Sequence, residues 1–253
     1  MSKISSTWMS ERLGKELTLV RWGEVGVPLL LFPTAGGDAE EVERFHLVAT
    51  LGEPLAEGRV KVYSVDSLAG RSWFVDDRST VGGARVQQQF DAALYHEVLP
   101  AIRADCHADA IEIVTAGASL GAYNALAFLC RHPEVCSAAI CMSGTYGLEK
   151  FLEGAMSPDY YAISPLHFVP DLPEDGAQLR RLRQRFVLLA HGEGRAESPE
   201  EDWKVANTLG ARGIPNRVDS WGEDYPHDWV TWRAMLPRYV DELLRDPDDS
   251  EEE

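Results

Sequence analysis

The sequence predicts an α/β fold, a mostly parallel central sheet with helices on both faces, on three observations. Short apolar runs rich in β-formers recur at a steady interval along the chain. The later runs are continuous rather than alternating, as in parallel strands covered on both faces. Helical patterns separate them, and strands alternating with helices imply parallel pairing through crossovers.

Taken in order, ELTLVRW (16–22) and VPLLLF (27–32) are the first two strands, and the short EVG between them predicts an antiparallel hairpin leading into the sheet. A helix is expected after Asp38, carrying EEVERFHLVATL, with Glu41 three residues on as a capping-box partner. VKVYSV (60–65) is the third strand. A longer helix covers about 84–104, where Val86, Phe90, Ala93, Leu94 and Val98 recur on one face before Pro100. IEIVTA (111–116), AAICMS (138–143), FVLLA (186–190) and NRVDSW (216–221) supply further strands, with helices over 120–131, 199–212 and 228–245. The stretch 144–183 is longer than a usual crossover and holds Tyr146, Phe151, Tyr160, Tyr161 and Phe168, so it is read as a small cap insertion over the sheet edge. With no internal repeat and no low-complexity linker, residues 1–245 form one domain. The last residues, 246–253, are six acidic side chains in eight and are expected to be a disordered, solvated tail.

Composition excludes several function classes. The 253 residues carry 41 acidic and 24 basic side chains, a formal net charge of −17. That surface repels phosphate backbones and anionic lipid, and no Lys/Arg cluster with interleaved aromatics offsets it, so neither nucleic acid nor membrane is expected as a partner. No run approaches the roughly 18 apolar residues of a membrane helix. The N-terminal MSKISSTWMSERLGKE lacks the apolar core of a secretory signal, and a cytoplasmic location is expected. Cys106, Cys130, Cys136 and Cys141 form no CxxC pair; Cys130 and Cys141 lie in apolar runs and read as core thiols, so no metal site is expected. Oligomeric state is not legible.

The chemistry concentrates in Gly117-Ala118-Ser119-Leu120-Gly121, which directly follows the strand IEIVTA and opens an Ala- and Leu-rich helix. A serine on that sharp strand-to-helix turn presents its hydroxyl outward. Residues two positions either side must lack side chains to pack against neighbouring backbone, which is the nucleophile-elbow arrangement of α/β-hydrolases. The Leu120 N–H at the helix N-terminus is a candidate oxyanion donor. Because acid and then histidine follow the serine in that fold, the candidate bases are His132, His167, His191 and His227. His227, in WGEDYPHDWVTW after the last strand and before the final helix, has the position a base needs. The acid should follow FVLLA, in HGEGRAESPEED; Glu193, Glu197 and Asp202 all qualify on order, and spacing does not separate Glu193 from Glu197. Pro33-Thr34-Ala35-Gly36-Gly37 is a small-residue turn whose Thr34 and Ala35 N–H groups are candidates for the second oxyanion donor.

Together, FPTAGGDAEE, VDSLAGRSW, GASLGAYNALAFLCRHPEV, SGTYGLEKFL, GEGRAE and GIPNRVDSWGEDYPHDWVTWR resemble the bacterial esterase family of the α/β-hydrolase superfamily, related to feruloyl-esterase-like and mycolyltransferase-like enzymes. The resemblance runs from about Leu30 to Tyr239, and its most specific parts are the elbow and HDWxxW at His227–Trp232. It implies a serine esterase with a Ser119–Glu197–His227 triad, because GEGRAE places Glu197 where the family carries its acid. Two positions depart from the family pattern: Ala122 follows Gly121 where a second glycine is common, and Ala196 precedes the acid where an aromatic is common.

The expected function is therefore hydrolysis of a small carboxylic ester through an acyl-serine, needing no cofactor. Trp73, Tyr146, Tyr160 and Tyr161 are candidates for the substrate pocket. The rivals are an acyltransferase using the same triad and a non-catalytic binding protein on a hydrolase scaffold.

Overall fold

The computed structural model describes residues 2–67, 80–151 and 156–244. Eight strands form one sheet: β1 (Lys3–Ser10), β2 (Lys15–Trp22), β3 (Val27–Phe32), β4 (Val60–Val65), β5 (Ile113–Ala118), β6 (Cys136–Met142), β7 (Phe186–His191) and β8 (Asn216–Ser220). Their spatial order is β1-β2-β4-β3-β5-β6-β7-β8. From β4 to β8 every pairing is parallel, while β1–β2 and β2–β4 are antiparallel.

The expected hairpin between 16–22 and 27–32 does not form. β2 pairs with β1 and β4, and β4 separates it from β3. The connection turns at Gly23 (φ 87°) and Gly26 (φ 115°), left-handed conformations that suit glycine. A Cβ on Gly26 would lie 2.5–2.7 Å from the backbone of Gly58–Val60, so the chain passes directly beside the segment that enters β4. β1 escaped the sequence pattern because KISSTWMS is an edge strand, exposed along most of its length, with no buried face to impose alternation.

Helices cover both faces. On one lie α1 (Glu41–Arg44), α2 (Gly52–Ala56) and the last helix. On the other lie α3 (Thr80–Ala93), which continues through a π turn at Leu94–Val98 into α4 (Leu99–Asp105), then α5 (Leu120–Arg131). That second face also carries α6 (Pro158–Ile163), α7 (Pro165–Phe168), α8 (Ala177–Leu182) and α9 (Pro199–Ala211); the last helix of the chain is α10 (Trp229–Leu244). Alternate strand residues serve the two cores: Leu30 and Phe32 pack toward α5, whereas Leu29 and Leu31 pack with Val42, Met235 and Leu236. In α5 every residue from Leu120 to Cys130 is buried, which is why its sequence is apolar all round. Burying a side chain such as Phe128 or Leu126 contributes about 1.5–3 kcal/mol. Cys130 and Cys141 are core thiols as expected, and burial pushes both thiols up.

The helix expected after Asp38 is broken into α1, a 3-10 turn at Val48–Leu51 and α2. Glu41 does not close a capping box; its carboxylate turns back to the strand end and accepts from Thr34. In the 144–183 segment Tyr146, Leu148, Tyr160, Ile163, Val169, Leu179 and Leu182 all join the core on the α5 face. The acidic tail at 246–253 lies outside the described residues. No helix among the described residues is long and apolar enough to cross a membrane.

Candidate active site

The parallel strands set the site. Phe32 of β3, Ala118 of β5, Met142 of β6, His191 of β7 and Ser220 of β8 are brought near one edge by register, since Phe32 pairs with Gly117, Ala118 with Met142, Met142 with Ala190 and His191 with Ser220. The residues that follow each strand therefore meet at the carboxyl edge, where open α/β sheets place their ligand sites.

Ser119 sits at the turn between β5 and α5 with φ 57° and ψ −122°, a conformation costly for any residue but glycine. Three contacts hold it there: its N–H donates to the Met142 carbonyl (3.0 Å), and its carbonyl accepts from Ala122 (3.1 Å) and Thr145 (3.3 Å). A Cβ on Gly117 would lie 2.3 Å from the Gly121 backbone, and one on Gly121 would lie 2.6 Å from the Pro33 carbonyl. Both glycines are thus required by close backbone packing, the first against α5 and the second against the end of β3. The Leu120 N–H lies in the first turn of the 12-residue α5.

The loops after β7 and β8 are laced together. Trp221 N–H donates to the His191 carbonyl (2.9 Å), Glu193 N–H to Gly222 (2.8 Å), Gly194 N–H to Tyr225 (3.1 Å) and His227 N–H to Arg195 (3.0 Å). A Cβ on Gly192 would lie 1.7 Å from the Tyr225 carbonyl oxygen, so GEG is read as the small-residue stretch this approach demands. Ala196 then takes φ 65°, a left-handed turn that carries the chain into Glu197. Glu197 Oε2 lies 3.6 Å from His227 Nδ1; the carboxylate is 1% exposed and the imidazole 23%. The separation is an ion-pair distance somewhat longer than a good hydrogen bond, as often occurs before substrate binds.

The other sequence candidates lie elsewhere. Glu193 is exposed and accepts from Ser220 Oγ (2.6 Å). Asp202, on α9, pairs with His191 instead: Nδ1 to Oδ2 is 2.9 Å, with both side chains buried. His132 contacts Asp91 (3.0 Å) and His167 contacts Ser164 Oγ (2.8 Å). The Thr34 N–H, one of the two candidates for the second oxyanion donor, is occupied: it donates to Glu41 Oε2 (2.7 Å), and the Thr34 hydroxyl bonds the same carboxylate. That leaves the neighbouring Ala35 as the stronger candidate.

The pocket expected from aromatics is corrected at two positions. Tyr146 and Tyr160 are each 1% exposed and belong to the core; burial, and then Asp202 and Cys141 beside it, drive the Tyr146 hydroxyl well above its usual range. Tyr160 Oη donates to Glu149 (2.6 Å). Tyr161 is on the surface, donating to Asp171 (2.5 Å), and Trp73 lies outside the described residues.

Two residues at the site escaped sequence reasoning. Ser143, immediately after β6, donates to Glu197 Oε1 (2.7 Å), and Trp232 Nε1 donates to Ser143 Oγ (3.0 Å). Ser143 gave no local signal, since its partner is 54 residues away. Trp232 had one: it is the second tryptophan of HDWxxW.

The sheet order and the glycine-framed serine turn are those of the α/β-hydrolase fold. A family model described as "Putative esterase" matches residues 70–243, and the chain belongs to this Esterase family. A sequence comparison with curated proteins returns no match. Among solved structures, a ferulic acid esterase is similar at a TM-score of 0.72 and 17% identity, over 96% of this chain and 97% of that one. An S-formylglutathione hydrolase from Agrobacterium tumefaciens follows at 0.68 and 17%, covering 94% and 93%. A fluorophosphonate-binding serine hydrolase of Staphylococcus aureus gives 0.67 and 15%, covering 97% and 99%. At these identities the likeness is one of fold.

Proposed function

We propose that the chain is a serine carboxylesterase that hydrolyses a small carboxylic ester through an acyl-serine intermediate, with Ser119, His227 and Glu197 as its triad. The observation that carries this reading is the pairing of His227 with a buried Glu197, on the two loops beyond β7 and β8, at the sheet edge where Ser119 is held at positive φ.

In the first half-reaction the Ser119 hydroxyl attacks the ester carbonyl while His227 takes its proton through Nε2. Glu197 holds the tautomer with hydrogen on Nδ1 and stabilises the imidazolium that forms. The tetrahedral oxyanion is received by the N–H groups of Leu120 and Ala35, each such donor typically contributing about 3–4 kcal/mol in the transition state. The protonated His227 then gives its proton to the departing alkoxide. In the second half-reaction water attacks the acyl-serine with His227 again as base, releasing the carboxylic acid. The Thr34–Glu41 contact fixes the turn that presents Ala35.

The test is labelling of the folded protein with a fluorophosphonate, the adduct located by peptide mass spectrometry, beside hydrolysis of short p-nitrophenyl esters. An adduct on Ser119 with turnover is expected, and both should vanish in Ser119→Ala. A folded protein that takes no label and turns over no ester would overturn the reading.

A further inference from the structure

Glu197 holds a buried carboxylate on a long side chain, and only one of its oxygens faces His227. The other is gripped by Ser143 Oγ at 2.7 Å. A serine hydroxyl has a single hydrogen and can rotate, so by itself it does not specify which neighbour receives it. Here Trp232 removes the choice. An indole N–H is donor only, and it points at Ser143 Oγ from 3.0 Å, so Ser143 must accept there and spend its hydrogen on Glu197.

The same indole also meets the base. The rings of Trp232 and His227 lie edge to face, centroids 5.2 Å apart at 87°. Trp232 therefore meets the base directly through its ring and reaches the acid through Ser143, while being itself 4% exposed and locked in the core. Ser143 is held at φ 46°, a strained conformation for a residue with a Cβ, and its N–H is tied to the Ala190 carbonyl at 2.6 Å. Strain kept at this place fits a hydroxyl whose aim matters.

We propose that Ser143 and Trp232 are positioning residues for the triad, forming a closed circuit Trp232–Ser143–Glu197–His227 that fixes the Glu197 carboxylate and the His227 ring together. The inference rests on the esterase reading above and adds to it the reason a glutamate can serve as the acid: a side chain one methylene longer than aspartate is restrained at its far oxygen.

The experiment is a double-mutant cycle on the full chain, read by kcat and KM on a short p-nitrophenyl ester and by the rate of fluorophosphonate labelling at Ser119. Ser143→Ala should lower kcat and the labelling rate by roughly 10- to 100-fold, the scale of one hydrogen bond to a charged group, with KM within about twofold. Trp232→Phe, which keeps a ring and removes the donor, should lower them by roughly 3- to 10-fold. In a Glu197→Ala background Ser143→Ala should change the residual rate by less than about twofold, because the carboxylate it holds has gone. A Ser143→Ala enzyme with unaltered kcat would overturn the inference, as would an equal loss with and without Glu197, which a merely structural serine would give. Circular dichroism and thermal melts verify folding; if Trp232→Phe does not fold, the Ser143–Glu197 cycle alone decides. An unlabelled, inactive wild type would sink the esterase reading and this inference with it, whereas an active wild type with an indifferent Ser143→Ala sinks only the inference.

Discussion

Two acid–histidine pairs lie around the carboxyl ends of β7 and β8, and they are built oppositely. His227 and Glu197 come from facing loops, stand 3.6 Å apart and leave the imidazole partly exposed. His191 and Asp202 come from a strand end and a helix, stand 2.9 Å apart and are sealed in the interior, 2% and 1% exposed. A base in catalysis must trade protons with substrate and solvent, so one edge of its ring has to be reachable. The sealed pair has tighter geometry and no such edge. If His227 is the base, as proposed, access rather than proximity is what distinguishes the two pairs. The two pairs are also coupled, since the negative charge of Glu197 pushes the pKa values of both His191 and Asp202 upward.

The sharpest way to break this contrast is to delete each histidine in turn. His227→Ala should lower kcat/KM by about three to six orders of magnitude while leaving urea stability within about 0.5 kcal/mol, as expected of a partly exposed side chain. His191→Ala should do the reverse, costing about 3–5 kcal/mol because it leaves the Asp202 carboxylate buried without its partner. A folded His191→Ala protein with no activity, beside an active His227→Ala, would exchange the roles of the two pairs.

Next in size is the choice of acid. Glu197→Gln should cost about 100- to 10,000-fold in kcat, by analogy with loss of the triad carboxylate elsewhere. Glu193→Gln, whose carboxylate faces solvent and Ser220, should stay within about twofold of wild type. Equal losses, or the opposite ranking, would remove Glu197 from the site.

These predictions also mark what the sequence could carry. The order of strands from 60 onward, and the longer helices between them, were legible because most parallel strands are continuous apolar runs and those helices keep their period; the short helices Pro158–Ile163, Pro165–Phe168 and Ala177–Leu182 were not, being too brief to show one. The serine turn was legible because its glycines are demanded by backbone contacts at fixed offsets, Gly117 against Gly121 and Gly121 against Pro33. The position of β1 was not, since an exposed edge strand has no pattern to show, and the β2–β3 hairpin failed because adjacency in sequence does not reveal that β4 will insert. At the site, order alone left Glu193, Glu197 and Asp202 equal. What separates them is three-dimensional: Ala196 in the left-handed region turns Glu197 inward, Glu193 is tied outward to Ser220, and α9 carries Asp202 to His191. Thr34 as an oxyanion donor failed for a similar reason, because a glutamate seven residues on folds back to claim its N–H.

The smallest expected effect probes the sealed pair through pH. Burial raises the Asp202 carboxyl from its ordinary 3.8 to about 6, against the opposing pull of His191. For His191, burial acts downward but is outweighed by the Asp202 hydrogen bond and charge, so its pKa lies above the ordinary 6.5. Both groups thus hold their protons to higher pH in the folded protein than in the unfolded chain. A group raised on folding contributes its full stability below its unfolded pKa and loses it as pH climbs through the folded value. For Asp202 that window runs from about 4 to about 6, and for His191 it begins near 6.5 and extends upward. Asp202→Asn keeps an oxygen for His191 and removes the ionisation. Holding one proton more in the folded protein than in the unfolded chain changes stability by about 1.4 kcal/mol for each pH unit crossed. The stability of wild type relative to this variant, from urea unfolding at a series of pH values, should therefore fall by about 2–3 kcal/mol between pH 4 and 7.5. A difference that stays flat across that range would mean the pair releases its protons as easily folded as unfolded, and a difference that grows with pH would mean the pair is held as an ion pair whose attraction outweighs its burial.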